Sequence, residues 1–300
     1  MMAARRTADL RGIRLRREPL SRHTSWRVGG PADTFYTPAD LADLAQFLAQ
    51  LPEGEPVTWL GLGSNVLVRD GGVRGTVIVT SGALTGLALT EAKVIRAEAG
   101  VACAKVARFC ANEGLVGAEF LAGIPGTMGG ALAMNAGAFG TETWQRVESV
   151  ETIDRRGSLR VRSPQEFKIA YRHVEGVPGE WFAAAHLHLQ AGDTQASRAR
   201  IKELLDWRNT KQPTGVPSCG SVFRNPPGDF AGRLVEACGL KGHCIGGACV
   251  SEKHANFIVN TGDATAQHIE QLIAYVRQQV REQLGVDLVP EVHIIGEHTA

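Results

Sequence analysis

The chain of 300 residues is short of several things, and each shortage removes a class of function. No apolar run approaches the ~20 residues that a membrane span requires. With 32 basic and 31 acidic residues the net charge is +1, so nothing in the overall charge calls for nucleic acid or an anionic membrane as partner. The six cysteines, Cys103, Cys110, Cys219, Cys238, Cys244 and Cys249, contain no CxxC pair, which removes zinc ribbons and thioredoxin-type sites. There is no internal repeat and no low-complexity tract. Six arginines crowd the first 17 residues without an apolar stretch, so the opening is not read as a secretory signal. It reads as a basic arm that touches a phosphate polymer or as a frayed, solvated tail, and we take the tail as the expectation. The default compartment is then the cytoplasm, where all six thiols are expected to be free.

What is present is a globular composition, 44% hydrophobic and 21% charged. Thr37-Pro38-Ala39-Asp40 announces a helix, with Thr37 able to cap and Leu41, Leu44, Ala45, Leu48 and Leu51 at helical spacing. "PVTWLGLGSNVLV" reads strand, glycine turn, strand. Residues 101–113 read as a helix stopped at Gly114, carrying Cys103 and Cys110 as small buried residues. "DTQASRARIKELLDWRNTKQP" is a helix ending before Pro213, and "DFAGRLVEACGL" a short one ending at Gly239. "HANFIVN" and "LVPEVHIIG" read as strands. In "TAQHIEQLIAYVRQQVREQLG", Ile269, Leu272, Ile273, Val276, Val280 and Leu284 form one stripe with Gly285 at the stop. Strands and helices mix without regular alternation, which favours α+β over a doubly wound sheet.

Two glycine-rich stretches stand out. "GLGSN" at 61–65 resembles half of a dinucleotide fingerprint, but a strand follows it where a helix should. It can form a nest of backbone N–H groups for an anion, or simply a tight hairpin turn. Residues 114–140 hold eight glycines in 27 positions where average usage predicts about two. Glycine carries an entropic cost, so either a ligand approaches the backbone closely or the turn is crowded. Tyr171-Arg172 sits in a polar stretch where the arginine can fork onto a carboxylate or face solvent. Glu291 begins an otherwise apolar strand after Pro290. His186 and His188 alternate on a strand without a third ligand nearby, so a solvent face is the expectation and no metal site is assigned. "PSCGSVFRNP" (217–226) is too polar for a core strand and lacks the context of a GxSxG elbow. Its residues alone suggest a phosphate- or sugar-binding loop.

Seven segments in one order resemble the UDP-N-acetylenolpyruvoylglucosamine reductase family over about residues 20–296. They are "HTSWRVGGPAD", "GLGSNVLVRDGG", "EFLAGIPGTMGGALAMNAGAFG", "AYR", "PSCGSVFRNP", "AGRLVEACGLKG" and "PEVHIIGE". The resemblance implies an α+β chain with a two-subdomain FAD-binding fold of the vanillyl-alcohol oxidase/PCMH type and a C-terminal α+β substrate-binding domain. We place a basic arm at 1–19, FAD subdomains at 20–85 and 86–205, and the substrate domain at 206–300. It implies non-covalent FAD held by Gly61, Leu62, Gly63, Ser64, Asn65, Gly123, Ile124, Pro125, Gly126, Thr127, Gly129, Gly130 and Asn135. NADPH would be the co-substrate, and the enolpyruvyl ether of a UDP-sugar, an intermediate of peptidoglycan synthesis, the substrate.

The family's functional positions fall on Arg172, Ser221 and Glu291. Arg172 and Glu291 would stabilise an enol or enolate, and Ser221 would deliver a proton. Tyr171, Lys211, Asn225 and Lys241 would touch the substrate. Val174 and His293 depart from residues common in relatives. Only nine residues separate Lys211 from Ser221, so a long lid insertion is absent, as in the family's shorter, second class. We expect a monomer acting on small molecules. The rival readings are another FAD oxidase or dehydrogenase of this fold and a non-catalytic nucleotide-sugar binding protein.

Overall fold

The computed structural model describes residues 10–91 and 94–299. Its first unit is a four-stranded sheet in the order Ile13–Pro19, Pro31–Thr37, Val73–Val79, Val57–Leu60. The first pair is antiparallel and the others parallel. Helix α1 (Leu41–Gln50) makes the crossover and buries Leu44, Phe47 and Leu48. Its cap is Asp40, whose carboxylate accepts the Asp43 N–H at 2.9 Å. Thr37, the expected cap, is instead the last residue of the preceding strand. The extended backbone must reach the sheet edge before it can turn, so the cap falls three residues later.

The expected tail needs a correction at its distal part. Ile13–Pro19 is an edge strand paired with Pro31–Thr37, because Leu15 and its neighbours find open hydrogen-bonding partners there. Residues 1–9 lie outside the described residues.

The second unit is a five-stranded antiparallel sheet in the order Leu159–Arg162, Val147–Asp154, Glu180–Leu187, Ile95–Glu98, Leu87–Leu89. Against it pack α2 (Cys103–Asn112), the short α3 (Met128–Met134) and α4 (Thr194–Lys211). Cys103, Val106, Ala107, Cys110 and Ala111 form the buried face of α2, and burial pushes both thiols up to about 12. Tyr36, Phe47 and Ile78 of the first unit meet Ile153 and Ala183 of the second, which fuses the two layers. Helix α4 runs unbroken across 205–206 to its C-cap, Gln212.

The third unit combines α5 (Ala231–Ala237), α6 (Ala266–Leu284) and a three-stranded sheet of Cys244–Ile245, Ala248–Val250 and Ile258–Asn260. Helix α6 opens with a Thr265–His268 capping box and stops at Gly285, whose φ of 69° is the left-handed one that glycine accepts. The stripe is buried from Ile269 to Val280. Leu284 leaves it, 41% exposed in the last turn.

Cys244 and Cys249 face each other across the first two strands and form a disulfide, so not all six thiols are free. Register is the reason: a two-residue turn at Gly246-Gly247 places these two cysteines opposite one another. The other four are free. The chain then returns, and His293–Ile295 pairs in parallel with Val66–Val68. Val66–Val68 therefore does not pair with Val57–Leu60, and "GLGSN" is a loop between two sheets rather than a hairpin turn. Among the described residues, no helix is long and apolar enough to cross a membrane.

Candidate active site

The parallel pairing of His293–Ile295 with Val66–Val68 brings the end of the chain beside the 61–65 loop. The Asn65 side-chain amide donates to the Glu291 carbonyl at 3.0 Å, and His293 N–H donates to the Asn65 carbonyl. The loop 217–226 lies on the other side of Glu291. A bridge joins Phe223 to Pro290, Glu291 N–H donates to Val222 O at 2.7 Å, and Arg224 N–H donates to Val289 O. Ser221 thus stands next to the residue that pairs with Glu291. Among the described residues its hydroxyl makes no hydrogen bond, and it is only part-buried.

Asn256, in the strand-like "HANF", holds this loop by accepting Phe223 N–H (2.9 Å) and donating to Phe223 O (2.8 Å). The sequence offered one faint signal for it, a polar residue inside an apolar alternation. Cys219 is buried and its thiol contacts Gly63 O and Val66 O at 3.5 Å. Burial pushes it up to about 12, so it is a packed thiol that ties the two loops together rather than a nucleophile.

Arg172 comes from a two-stranded hairpin of Lys168–Ala170 and His173–Glu175. Its φ of 54° lies in the left-handed region, a conformation that costs a non-glycine residue about 1 kcal/mol or more and that surrounding structure must impose. Its Nε donates to Glu291 Oε1 at 2.9 Å, and its Nη atoms donate to the carbonyls of Asn135 (3.3 Å) and Gly137 (3.1 Å). Arg172 and Glu291 are 119 residues apart in sequence, and their side chains are 16% and 15% exposed. Burial raises the Glu291 carboxyl above its ordinary value, opposed by Arg172 and then Arg224. Tyr171 is 45% exposed, with the Arg172 guanidinium over its ring at 4.9 Å.

Asn135 behaves differently from the other expected cofactor residues. Its amide donates to Glu142 and to Ala170 O, and its carbonyl accepts Trp144 N–H. With its side chain fully engaged, it is a pin that presents a carbonyl to Arg172.

Of the expected cofactor residues, Gly61, Leu62, Gly129 and Gly130 line two cavities beside the first two units. A cavity of ≈ 290 Å³ is lined by Trp59, Gly61, Gly129, Gly130, Glu180 and Phe182 among others. A second of ≈ 340 Å³ lies on the other flank of Gly61, beside Arg22, His23, Leu62 and Ser81. A Cβ at Gly61 would lie 2.5 Å from Thr127 Oγ1, so the Thr127 side chain reaches the Gly61 backbone only because glycine is there. Thr127 Oγ1 and Trp59 Nε1 are buried without partners among the described residues, and an enclosed polar ligand would supply them. Ser64 Oγ faces Gly126, while Gly123 packs beneath the Phe139 ring, with Ile124 and Pro125 continuing that turn. The residues present fit a bound FAD.

Three expected substrate residues lie around the third unit. Lys211 is exposed at the end of α4, Lys241 Nζ pairs with Glu236 at 2.7 Å, and Asn225 Oδ1 accepts Ala231 N–H at the start of α5. His186 does not face solvent: it bonds Glu151 at 2.8 Å, inside an ion network with Arg96. His188 is exposed. Among the described residues no three His, Cys, Asp or Glu side chains converge to hold a metal.

The model of an FAD binding domain matches residues 32–162, within the first two units. The chain is an FAD-dependent oxidoreductase with a two-subdomain FAD-binding fold and a C-terminal α+β domain. Residues 212–295 match the model of the UDP-N-acetylenolpyruvoylglucosamine reductase C-terminal domain. The chain belongs to the UDP-N-acetylenolpyruvoylglucosamine reductase family. It is 62% identical over 297 residues to the reductase of Alkalilimnicola ehrlichii, covering 99% of each chain. It is 63% identical over 298 residues to that of Methylococcus capsulatus, covering 99% of this chain and 98% of the other. The crystal structure of the Thermus caldophilus reductase superposes with a TM-score of 0.81 at 34% identity, over 95% of this chain and 99% of that one.

Proposed function

We propose that this chain uses NADPH to reduce the enolpyruvyl ether of a UDP-N-acetylglucosamine to the lactyl ether, UDP-N-acetylmuramate, in peptidoglycan synthesis. It acts as a cytoplasmic monomer on these small molecules. Its units are 20–85, 86–205 and 206–300. The observation that carries the reading is the buried Arg172–Glu291 pair beside Ser221, assembled from distant parts of the chain. Bound FAD supplies the two-electron chemistry that passes hydride from NADPH to the substrate.

The protein's own part follows from where charge develops. Hydride reaches the terminal carbon of the enolpyruvyl group, and negative charge appears at the neighbouring carbon and spreads into the carboxylate. Arg172 supplies a fixed positive charge there. Glu291 helps only in its protonated form, because a bare carboxylate would repel the enolate. Burial favours that form. Ser221 donates its proton to the carbon; a hydroxyl suffices because the enolate is a strong base in a site that excludes water. Arg172 in turn is oriented by the Asn135 and Gly137 carbonyls. Gly61, Gly63, Gly126, Gly129 and Gly130 admit the cofactor to the backbone, and Thr127 offers it a hydroxyl. Tyr171, Lys211, Asn225 and Lys241 bind the nucleotide sugar.

The test is a spectrum. The purified protein is expected to show a flavin band that NADPH bleaches and that the enolpyruvyl sugar restores without oxygen. A protein that takes up no FAD, or a bleached band that the sugar leaves unchanged, defeats the reading.

A further inference from the structure

Arg172 is not a free cation. Glu291 meets its charge at 2.9 Å, and carbonyls accept from both Nη atoms. Each of the three guanidinium nitrogens of Arg172 thus already donates a hydrogen bond within the protein.

Arg224 differs. Its backbone is pinned to Val289, beside the Phe223–Pro290 bridge. In that antiparallel register Arg224 lies opposite Val289, and Glu291 lies opposite Val222. Strand alternation then puts Arg224 and Glu291 on the same face, one diagonal step apart. Arg224 Nε is buried and has no hydrogen-bond partner among the described residues. Proximity also appears in the electrostatics: Arg224 draws the Glu291 carboxyl downward against its burial, and after burial it is the next cause holding His293 below its ordinary value. A half-buried guanidinium whose Nε is buried and unsatisfied, beside the Arg172–Glu291 pair, is a place prepared for an anion.

We propose that Arg224 binds the carboxylate of the enolpyruvyl group. This inference rests on the proposed reaction and names a specificity contact within it. A guanidinium matches the planar geometry of a carboxylate. As charge flows from the reacting carbon into that carboxylate, the contact strengthens. Arg224 also distinguishes the enolpyruvyl sugar from the parent UDP-N-acetylglucosamine, which has no carboxylate.

The experiment measures binding of both sugars to flavin-loaded native protein and Arg224→Met by flavin absorbance changes. The variant is expected to bind the enolpyruvyl sugar about 10- to 100-fold more weakly, the range for a charge-assisted hydrogen bond, and UDP-N-acetylglucosamine within about twofold of native. Arg224→Lys is expected to recover part of the loss, since it restores the charge without the fork. Equal weakening of both sugars, or weakening of neither, overturns the assignment. If Arg224→Met does not retain flavin, the ratio of the two affinities in Arg224→Lys decides, and a native ratio there overturns it. Native protein that fails to bind the enolpyruvyl sugar removes the proposed reaction and this assignment together, whereas native binding with an unchanged ratio in the variant removes the Arg224 assignment alone.

Discussion

Glu291 sits against a guanidinium, and yet burial carries its carboxyl above the ordinary value. A raised carboxyl is protonated to higher pH and loses its proton as pH rises through that value. The rate of flavin reoxidation by the enolpyruvyl sugar should therefore fall as pH rises through the Glu291 titration. Glu291→Gln, an amide that cannot titrate, should flatten that limb; a stopped-flow pH profile identical in both proteins would contradict the role. Ser221→Ala should leave reduction of the flavin by NADPH close to native and slow reoxidation by the sugar by about 100-fold or more, the scale of general-acid catalysis. Equal slowing of both half-reactions would show that Ser221 is not the proton donor. The better nucleophile of the same loop, Cys219, is excluded by its burial.

At the scale of the element, the loop 217–226 is a strand in all but length. Phe223 is 2% exposed, and both of its backbone groups are bonded to Asn256. Asn256→Ala leaves a buried N–H and C=O unpaired, at roughly 1–3 kcal/mol for each such group. A thermal melt should drop by several degrees, and substrate affinity should weaken because Ser221 and Arg224 ride on this loop. A melt within a degree of native would mean that the loop is held elsewhere. The 61–65 loop has its own constraint. Gly61→Ala drives a methyl group against Thr127 Oγ1. Its FAD dissociation constant, read from flavin fluorescence, should rise about tenfold or more while the far-ultraviolet circular dichroism stays native. Unaltered FAD affinity would place the cofactor away from this turn.

Across the whole molecule, three units are joined by a few long-range ties. His293–Ile295 returns to pair with Val66–Val68, Trp26 Nε1 donates to Ile258 O, and Cys219 contacts Gly63 O. The third unit also carries the Cys244–Cys249 disulfide. Closing so short a loop is worth about 2 kcal/mol by loop entropy. Thiol titration of the unfolded protein should find four thiols before reduction and six after it. Reduction should lower the Tm by a few degrees. Six thiols without reductant would mean that the pair is open under those conditions.

Much of this was legible along the chain because it is local. Capping and periodicity depend on neighbours within a turn or two, so α2, α4 and α6 were read close to their observed ends. The glycine excess at 114–140 and the polar loop at 217–226 mark functional backbone because such composition is costly without a use. Their matching order with a known family pointed to FAD and to Arg172, Ser221 and Glu291. Tertiary structure alone decided what depends on register and burial. It paired Glu291 with Arg172, 119 residues away, and bonded the Asn135 side chain to Glu142 and Trp144. It also placed Cys244 opposite Cys249, turned "GLGSN" into a bridge between sheets, and left Arg224 Nε buried with no partner among the described residues. A charge's partner and its dielectric are set by what the folded chain packs around it, and no spacing along the sequence encodes that directly.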